Sequence, residues 1–257
     1  MLAQPLQVAS CFSKAAGSYV GAARLQRQVA QAALAQLLSF GKPLGHLLDI
    51  GCGPGWLHPE LLSLAQKITA VDLSRGMLAQ AQAQQLPIHY LQADAAALPL
   101  PTASVDQVFS SLMLQWCPAP QQVFAEMARV LRPGGQFVIT TLIEGTLNEM
   151  AQAFAAVDEQ PHIHAFLSLG DLQHAISGVA LACSIQTTCY QLPYADIFAL
   201  AKELKALGAN HLANRAQRGL TGKGYWQRVS AAYPQSAVGI PLIASYYVVQ
   251  ISGTKPL

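Results

Sequence analysis

One short segment constrains the fold of this chain more than any other: an apolar run that passes directly into a glycine-rich turn. The run Leu47-Leu48-Asp49-Ile50 is followed by Gly51-Cys52-Gly53-Pro54-Gly55 and then by a helical pattern. Glycine permits positive φ and a close approach of the backbone to a ligand, so a strand ending in such a turn is typical of a ligand site at a helix N-terminus. We therefore expect an α/β protein with a binding site at this turn.

The sequence after this first strand, turn and helix predicts further strands and helices in alternation. Short apolar runs alternate with helical patterns from about residue 45 to residue 142, as in successive βαβ units. Ser74 is a predicted N-cap for a helix over 75–84, a second helix is predicted over 121–131, and one or two amphipathic helices over 11–39. The predicted strands are 46–50, 68–73, 88–92, 106–110, 136–142, 182–192 and 242–251. The pattern predicts a Rossmann-like, doubly wound, mostly parallel sheet with N-terminal helices and a helical lid insertion.

The length of 257 residues suits one large domain. We expect a single domain over 1–257 with four parts. These are an N-terminal helical lid (1–44), a cofactor-binding core (45–142), a helical insertion (143–178), and C-terminal strands with a basic helical segment (179–257).

The composition of the chain indicates where in the cell the protein is expected to act. Apolar residues make up 52% of the chain, which raises the question of a membrane span, but the longest uncharged run, 229–254, is interrupted by Pro234, Gly239 and Pro241. The N-terminus lacks the basic start and unbroken apolar stretch of a signal peptide. The five cysteines form no C-x-x-C, so we expect neither disulfides nor a metal site. The expectation is a cytoplasmic monomer that binds neither nucleic acid nor a membrane.

Two acids indicate which ligand the glycine turn binds. Asp72 ends the second predicted strand, 21 residues after Gly51, where a carboxylate can accept hydrogen bonds from ribose hydroxyls. A dinucleotide fingerprint would need glycine at the position of Trp56. Asp49, near the end of a buried strand, suits a ligand with a cationic amino acid end rather than phosphates. These features favour S-adenosylmethionine over NAD.

At these residues the chain resembles the class I methyltransferases, whose first motif is matched by Asp49, Gly51, Gly53 and Gly55. The resemblance implies that Asp72 binds ribose, that Asp94 and Ala95 read the adenine, and that 131–135 forms the turn before the fifth strand. Ser111 stands where asparagine is expected. The implied cofactor-binding residues are Asp49, Gly51, Cys52, Gly53, Gly55, Asp72, Leu73, Asp94, Ala95, Ser111 and Leu112.

Further segments are similar to the malonyl-acyl-carrier-protein O-methyltransferases of biotin synthesis, the BioC family. They include Phe12–Ala16 with Tyr19, Leu25-Gln26-Arg27-Gln28, Leu114-Gln115-Trp116-Cys117 and Leu220-Thr221-Gly222-Lys223. The resemblance implies methyl transfer to the free carboxylate of a malonyl thioester, carried by acyl-carrier protein or by CoA. A carboxylate is already ionised at pH 7, so no general base is needed. The candidate catalytic and substrate-binding residues are Tyr19, Gln115, Trp116, Thr221 and Lys223.

Several alternatives stay open from sequence alone. The acceptor could be another small carboxylate or a carbon nucleophile, or the protein could bind S-adenosylmethionine without catalysis. Six basic residues and no acids follow Glu203, and this block could attract an acidic carrier or simply solvate an exposed helix. His162 and His164 have no ligand partners at metal spacing and are interpreted as loop histidines.

Overall fold

The structure is a computed structural model that describes residues 5–41, 44–158, 160, 162–209, 223–234 and 241–257, with all their side chains except those of Leu44 and Lys223. The described strands are β1 Leu44–Ile50, β2 Ala65–Asp72, β3 His89–Gln92, β4 Val105–Ser111, β5 Leu131–Leu142, β6 Ala182–Tyr194 and β7 Leu242–Thr254. The described helices are α1 Pro5–Ala22, α2 Arg24–Ser39, α3 His58–Leu64, α4 Arg75–Gln82, α5 Pro120–Val130, α6 Asn148–Ala155, α7 Leu169–Ile176, α8 Ile197–Ala206 and α9 Lys223–Ala232, with a 3₁₀ turn at Leu114–Trp116.

The strands form one sheet in the order β3-β2-β1-β4-β5-β7-β6. Strands β1 to β5 are parallel, and β7 and β6 add antiparallel pairs at the far edge. The chain order reverses between β1 and β4. In parallel sheets ligands bind at the carboxyl ends of the strands at such a switch point. The predicted mostly parallel, doubly wound class is confirmed.

Alternation along the central strands gives the sheet two apolar faces. Leu48, Val108 and Phe137 belong to one core cluster, which includes residues of α5 and α7. Their chain neighbours Leu47, Phe109 and Val138 point the other way, into a cluster with residues of α2 and α3. Both faces are therefore covered, and the strand ends are left to form the site.

The predicted lid segments divide into covering and core parts. The sequence predicts that 1–44 forms a lid. In the structure α2 buries Leu34 and Leu37 against the sheet, and α1 is the helix that lies over the ends of β1, β2 and β4. The insertion divides similarly, because α7 packs on α5 while α6 packs on α9. Among the described helices, none has the length and apolar character needed to cross a membrane.

The structure corrects the prediction that residues 131–135 form a turn before the fifth strand. In the structure β5 already begins at Leu131, which pairs with Val105 before the register shifts at an irregularity ahead of Gln107. Gly134 takes φ +73° there, so the glycines serve a kinked strand start rather than a separate turn. Pro59 lies in the first turn of α3, where the missing N–H costs nothing.

Helix α1 is seated on the N-terminus of α4 through very close contacts. Ser74 is the N-cap of α4, as predicted, and its hydroxyl accepts the Met77 N–H at 3.2 Å. The Ser13 hydroxyl lies 2.8 Å from that of Ser74 and accepts the Gly76 N–H at 3.1 Å. A Cβ at Gly76 would lie 2.6 Å from the Ser13 carbonyl oxygen, so only glycine allows this approach.

Gly76→Ala should loosen α1 from α4 although alanine favours helices, because the added methyl overpacks the contact at a cost of about 1–3 kcal/mol. We expect a lower Tm and faster amide hydrogen exchange along α1. Gly17→Ala is the matched control, since a Cβ there meets nothing within 4 Å and should stabilise the helix slightly. Unchanged exchange in Gly76→Ala would contradict this seating.

Candidate active site

A first cavity of about 780 Å³, including its mouth, opens at the carboxyl ends of β1, β2 and β4. Helix α1 covers it through Val8, Phe12 and Tyr19. The wall contains most of the predicted cofactor-binding residues: Gly51, Gly53, Asp72, Leu73, Asp94, Ala95, Ser111 and Leu112. The structure thus brings together side chains that are separated by more than 60 residues in the sequence.

The glycine turn adopts the backbone that the sequence predicts. Gly51, Gly53 and Gly55 all have positive φ, at +72°, +56° and +72°. A Cβ at Gly51 would lie 2.3 Å from Met113 Cγ, whereas a Cβ at Gly53 would meet open space. Gly55, in contrast, is not among the residues that line this cavity or the smaller and the larger cavity next to it, which are described below. A Cβ at Gly55 would lie 2.4 Å from His58 Nδ1. Gly55 therefore serves packing behind the turn.

The Asp72 carboxylate joins the glycine turn to helix α4. Its Oδ2 accepts the Gly53 N–H at 2.9 Å and its Oδ1 accepts the Ser74 N–H at 2.7 Å. Burial raises the pKa of Asp72 to about 6; the two N–H donors oppose this shift, and the charge of Asp49 adds to it. Each oxygen keeps a second lone pair, so the carboxylate can still accept hydrogen bonds from a ligand.

Asp49 has a partner that sequence reasoning missed. It is buried, and its Oδ2 lies 3.1 Å from His58 Nε2. His58 is also fully buried and its Nδ1 lies 3.2 Å from the Tyr90 hydroxyl. Because a carboxylate only accepts, His58 donates from Nε2 and fixes the orientation of Asp49. The available signal was a histidine immediately after the glycine turn, at the start of α3.

A third, smaller cavity of about 400 Å³, including its opening, lies behind the turn and contains Asp49, Cys52 and Gly53 in its wall. Burial, together with the charges of Asp49 and Asp72, raises the pKa of the Cys52 thiol well above its usual range. Cys52 is therefore a neutral thiol, and its Sγ–H faces the Gly53 carbonyl at 3.6 Å. It shapes the cavity and is no nucleophile.

The far end of the first cavity is built by the loops after β3 and β4. Asp94 Oδ1 accepts the Ala96 N–H at 2.9 Å, which holds the carboxylate in a tight turn. Leu112 has φ +52°, a strained conformation for a branched residue, and its N–H donates to the Thr140 carbonyl at 3.0 Å. The strain lies where the first cavity meets the next one.

A second cavity of about 1500 Å³, including its mouth, adjoins the first across a wall shared by Phe12, Tyr19, Leu112 and Trp116. Its walls are rich in aromatic groups. Trp116 packs between Phe12 and His164, at ring-centroid distances of 5.3 and 4.8 Å. Phe12 and His164 were not predicted as site residues, because their contacts depend on how α1 and residues 162–166 pack in three dimensions.

The predicted substrate residues differ in what the structure allows them to do. Gln115 lines the second cavity, but its Nε2–H donates to the Leu112 carbonyl at 2.6 Å and its Oε1 accepts from Thr141 Oγ1 at 3.1 Å. It therefore holds the strained Leu112 loop in place. Burial, with the charge of Asp72 added, raises the pKa of Tyr19 far above its usual range, so this phenol is a donor. Thr221 and the side chain of Lys223 lie outside the described part.

The acidic side chains in the walls of the first and third cavities indicate which kind of ligand these cavities can bind. The walls of the first and third cavities contain Asp49, Asp72 and Asp94 and, among the described residues, no lysine or arginine. Such walls suit ribose hydroxyls and a cationic ligand and offer nothing to neutralise a pyrophosphate. No group of three potential metal ligands occurs among the described residues.

Comparisons with known proteins agree with this chemistry. A family model described as a methyltransferase domain matches residues 48–139. The YcgJ protein of Bacillus subtilis is 18% identical with a TM-score of 0.64, covering 88% of this chain and 99% of that one. A Haemonchus contortus phosphoethanolamine N-methyltransferase, solved with S-adenosylhomocysteine, is 20% identical with a TM-score of 0.55, over 88% of this chain and 53% of that one. Fold and site define a class I methyltransferase whose cofactor is S-adenosylmethionine.

Relatives that match nearly the whole of this chain show which family of class I methyltransferases it belongs to. The malonyl-acyl-carrier-protein O-methyltransferase of Serratia marcescens is 40% identical over 94% of this chain and 92% of its own length. The biotin biosynthesis bifunctional protein BioHC of Cellvibrio japonicus is 37% identical over 97% of this chain and 50% of its own length. The chain belongs to the malonyl-acyl-carrier-protein O-methyltransferase family.

The raised pKa of Asp72 predicts how nucleoside binding depends on pH. If Asp72 binds ribose, as the sequence predicts, its ionised carboxylate should accept the hydroxyl hydrogen bonds better, so affinity for S-adenosylhomocysteine should rise as the pH passes through about 6 and then level off. In Asp72→Asn the affinity should fall by about 2 kcal/mol at pH 8, and the rise near pH 6 should vanish. Calorimetry between pH 5 and 8 measures both; an identical pH profile in the variant would contradict the assignment.

Proposed function

We propose that this protein transfers a methyl group from S-adenosylmethionine to the free carboxylate of malonyl-acyl-carrier protein, giving the malonyl methyl ester used in biotin synthesis. The proposal is supported by the wall that the first and second cavities share, because a space large enough for an acceptor then adjoins the cavity proposed for the methyl donor. The names of the full-length relatives supply the acceptor.

The first and third cavities together would hold the cofactor. In this proposal Asp72 binds the ribose hydroxyls, Asp94 and the Ala95 amide read the adenine, and Asp49 attracts the amino group beside the glycine turn. Leu73, Ser111 and Leu112 complete the wall around the nucleoside. When bound, S-adenosylmethionine supplies an electrophilic methyl group on a sulfonium.

The protein's own part in the reaction is positioning and exclusion of water. The acceptor carboxylate is ionised at neutral pH, so no side chain needs to remove a proton. An anion and a cation neutralise each other as the methyl moves, and an apolar enclosure favours that loss of charge. Phe12 and Trp116 supply this enclosure, while the protonated Tyr19 can hold the carboxylate by donating a hydrogen bond.

The acceptor's carrier is a further part of the proposal. Lys205 is exposed and lines the second cavity, and Lys202 and Arg228 are exposed on α8 and α9. These cations belong to the basic C-terminal part of the chain and suit an acidic carrier protein better than they suit a small free acid. We also propose that the protein acts as a monomer.

The product assay is the direct test. The protein is incubated with methyl-labelled S-adenosylmethionine and, in separate arms, malonyl-acyl-carrier protein, malonyl-CoA and free malonate. We expect an alkali-labile methyl ester to form fastest with the carrier-bound substrate. Equal rates with malonyl-CoA would reject the carrier preference, and labelling of none of the three would overturn the proposed function.

Tyr19→Phe tests whether this residue is a donor or a base. Loss of a hydrogen bond to a charged group should lower kcat/KM by roughly tenfold, about 1.5 kcal/mol. The rate of the wild type and of the variant should be flat between pH 7 and 9, because no base titrates. A rate that climbs with pH in the wild type and not in Tyr19→Phe would show that Tyr19 acts as a base.

A further inference from the structure

Gln26, on α2, borders two cavities at once. It lines the second cavity and also the third, the one that contains Asp49. With Tyr19 it belongs to the wall of both. A side chain in this position lies between the place proposed for the cofactor's amino acid end and the place proposed for the acyl acceptor.

The Gln26 carboxamide has an unsatisfied acceptor. Its Oε1 is shielded from solvent and has no hydrogen-bond donor among the described residues. A buried acceptor left unpaired costs about as much as a lost hydrogen bond, so such atoms point to a missing partner. The terminal torsion of glutamine is broad, so rotation about it can direct the oxygen toward one cavity and the amide nitrogen toward the other.

The neighbouring polar groups of the second cavity are engaged within the protein. Glu203 pairs with Arg24 at 2.8 Å and accepts from the Tyr194 hydroxyl at 2.7 Å. The Tyr246 hydroxyl lies 3.2 Å from that of Tyr194. Gln26 therefore stands out among these side chains as one whose polar atom still needs a partner.

We propose that Gln26 binds both reactants: Oε1 accepts a hydrogen bond from the ammonium group of the cofactor, and Nε2 donates one to the acceptor's carboxylate. The second half rests on the proposed function. The assignment follows the charges, because the third cavity contains Asp49 and suits a cation, whereas the second must receive an anion. A neutral amide suits both, while a carboxylate or an ammonium at position 26 would repel one of them.

Two substitutions separate these contacts. Gln26→Glu keeps the acceptor and adds a negative charge, and Gln26→Met removes both polar ends at similar size. Gln28→Glu is the matched control, since Gln28 is exposed on the same helix. The ligands for calorimetry are S-adenosylhomocysteine and 5′-methylthioadenosine, which lacks the amino acid end. The Tm of each variant establishes that it folds.

We expect Gln26→Met to weaken S-adenosylhomocysteine binding roughly tenfold and to leave methylthioadenosine binding unchanged. Gln26→Glu should bind S-adenosylhomocysteine at least as tightly as the wild type, yet raise the KM for the malonyl thioester tenfold or more. Gln28→Glu should change neither quantity.

Two results would overturn the proposal. One is an equal loss of both nucleosides in Gln26→Met, which would mean a general distortion of the site. The other is an unchanged malonyl KM in Gln26→Glu. If the wild type methylates no malonyl thioester, the proposed function fails by itself, while the calorimetric comparison still decides the cofactor contact.

Discussion

The site depends on one carboxylate that binds two backbone segments at once. Asp72 accepts the N–H of Gly53 from the glycine turn and that of Ser74 from the start of α4. Ser74 in turn contacts Ser13, which seats α1 over the strand ends. The glycine turn, the start of α4 and helix α1, which together surround the first cavity, are thus connected by a few hydrogen bonds around Asp72 and Ser74.

This arrangement places function and stability in opposition. Burial raises the pKa of Asp72, so the ionised form, which is the one proposed to bind ribose, is disfavoured in the folded protein. A group with a raised folded pKa contributes stability below its unfolded value and loses it as the pH rises through about 6. Above about pH 6, where the proposed ribose contact would be strongest, ionised Asp72 therefore contributes least to the stability of the ligand-free protein. In the proposed function, ligand binding would offset that loss.

The sequence predicts the parts of the cavity wall that depend on local patterns and misses those that depend on packing. The glycine turn, the N-cap at Ser74 and the acids at the end of β2 and just after β3 could be predicted because each lies at a fixed place in a βαβ unit. His58 could not, since its role follows from burial between Asp49 and Tyr90. The split of the N-terminal segment into a covering α1 and a core α2 also depends on which apolar face meets the sheet, and the sequence shows an apolar face for both.

The second cavity illustrates why a protein with this chemistry needs so little acid or base. Its acceptor arrives already ionised, so a strong general base would add nothing to the rate. What the reaction needs is contact between two oppositely charged reactants in an enclosed place. In the proposed function they meet beside Phe12, Tyr19, Leu112 and Trp116, which line both cavities. Gln115 donates a hydrogen bond to the Leu112 carbonyl and so holds this residue in its strained conformation, at the wall that the two cavities share. Because Phe12 and Tyr19 of α1 line both the first and the second cavity, the contacts that seat α1 on α4 also position part of the wall of the second cavity.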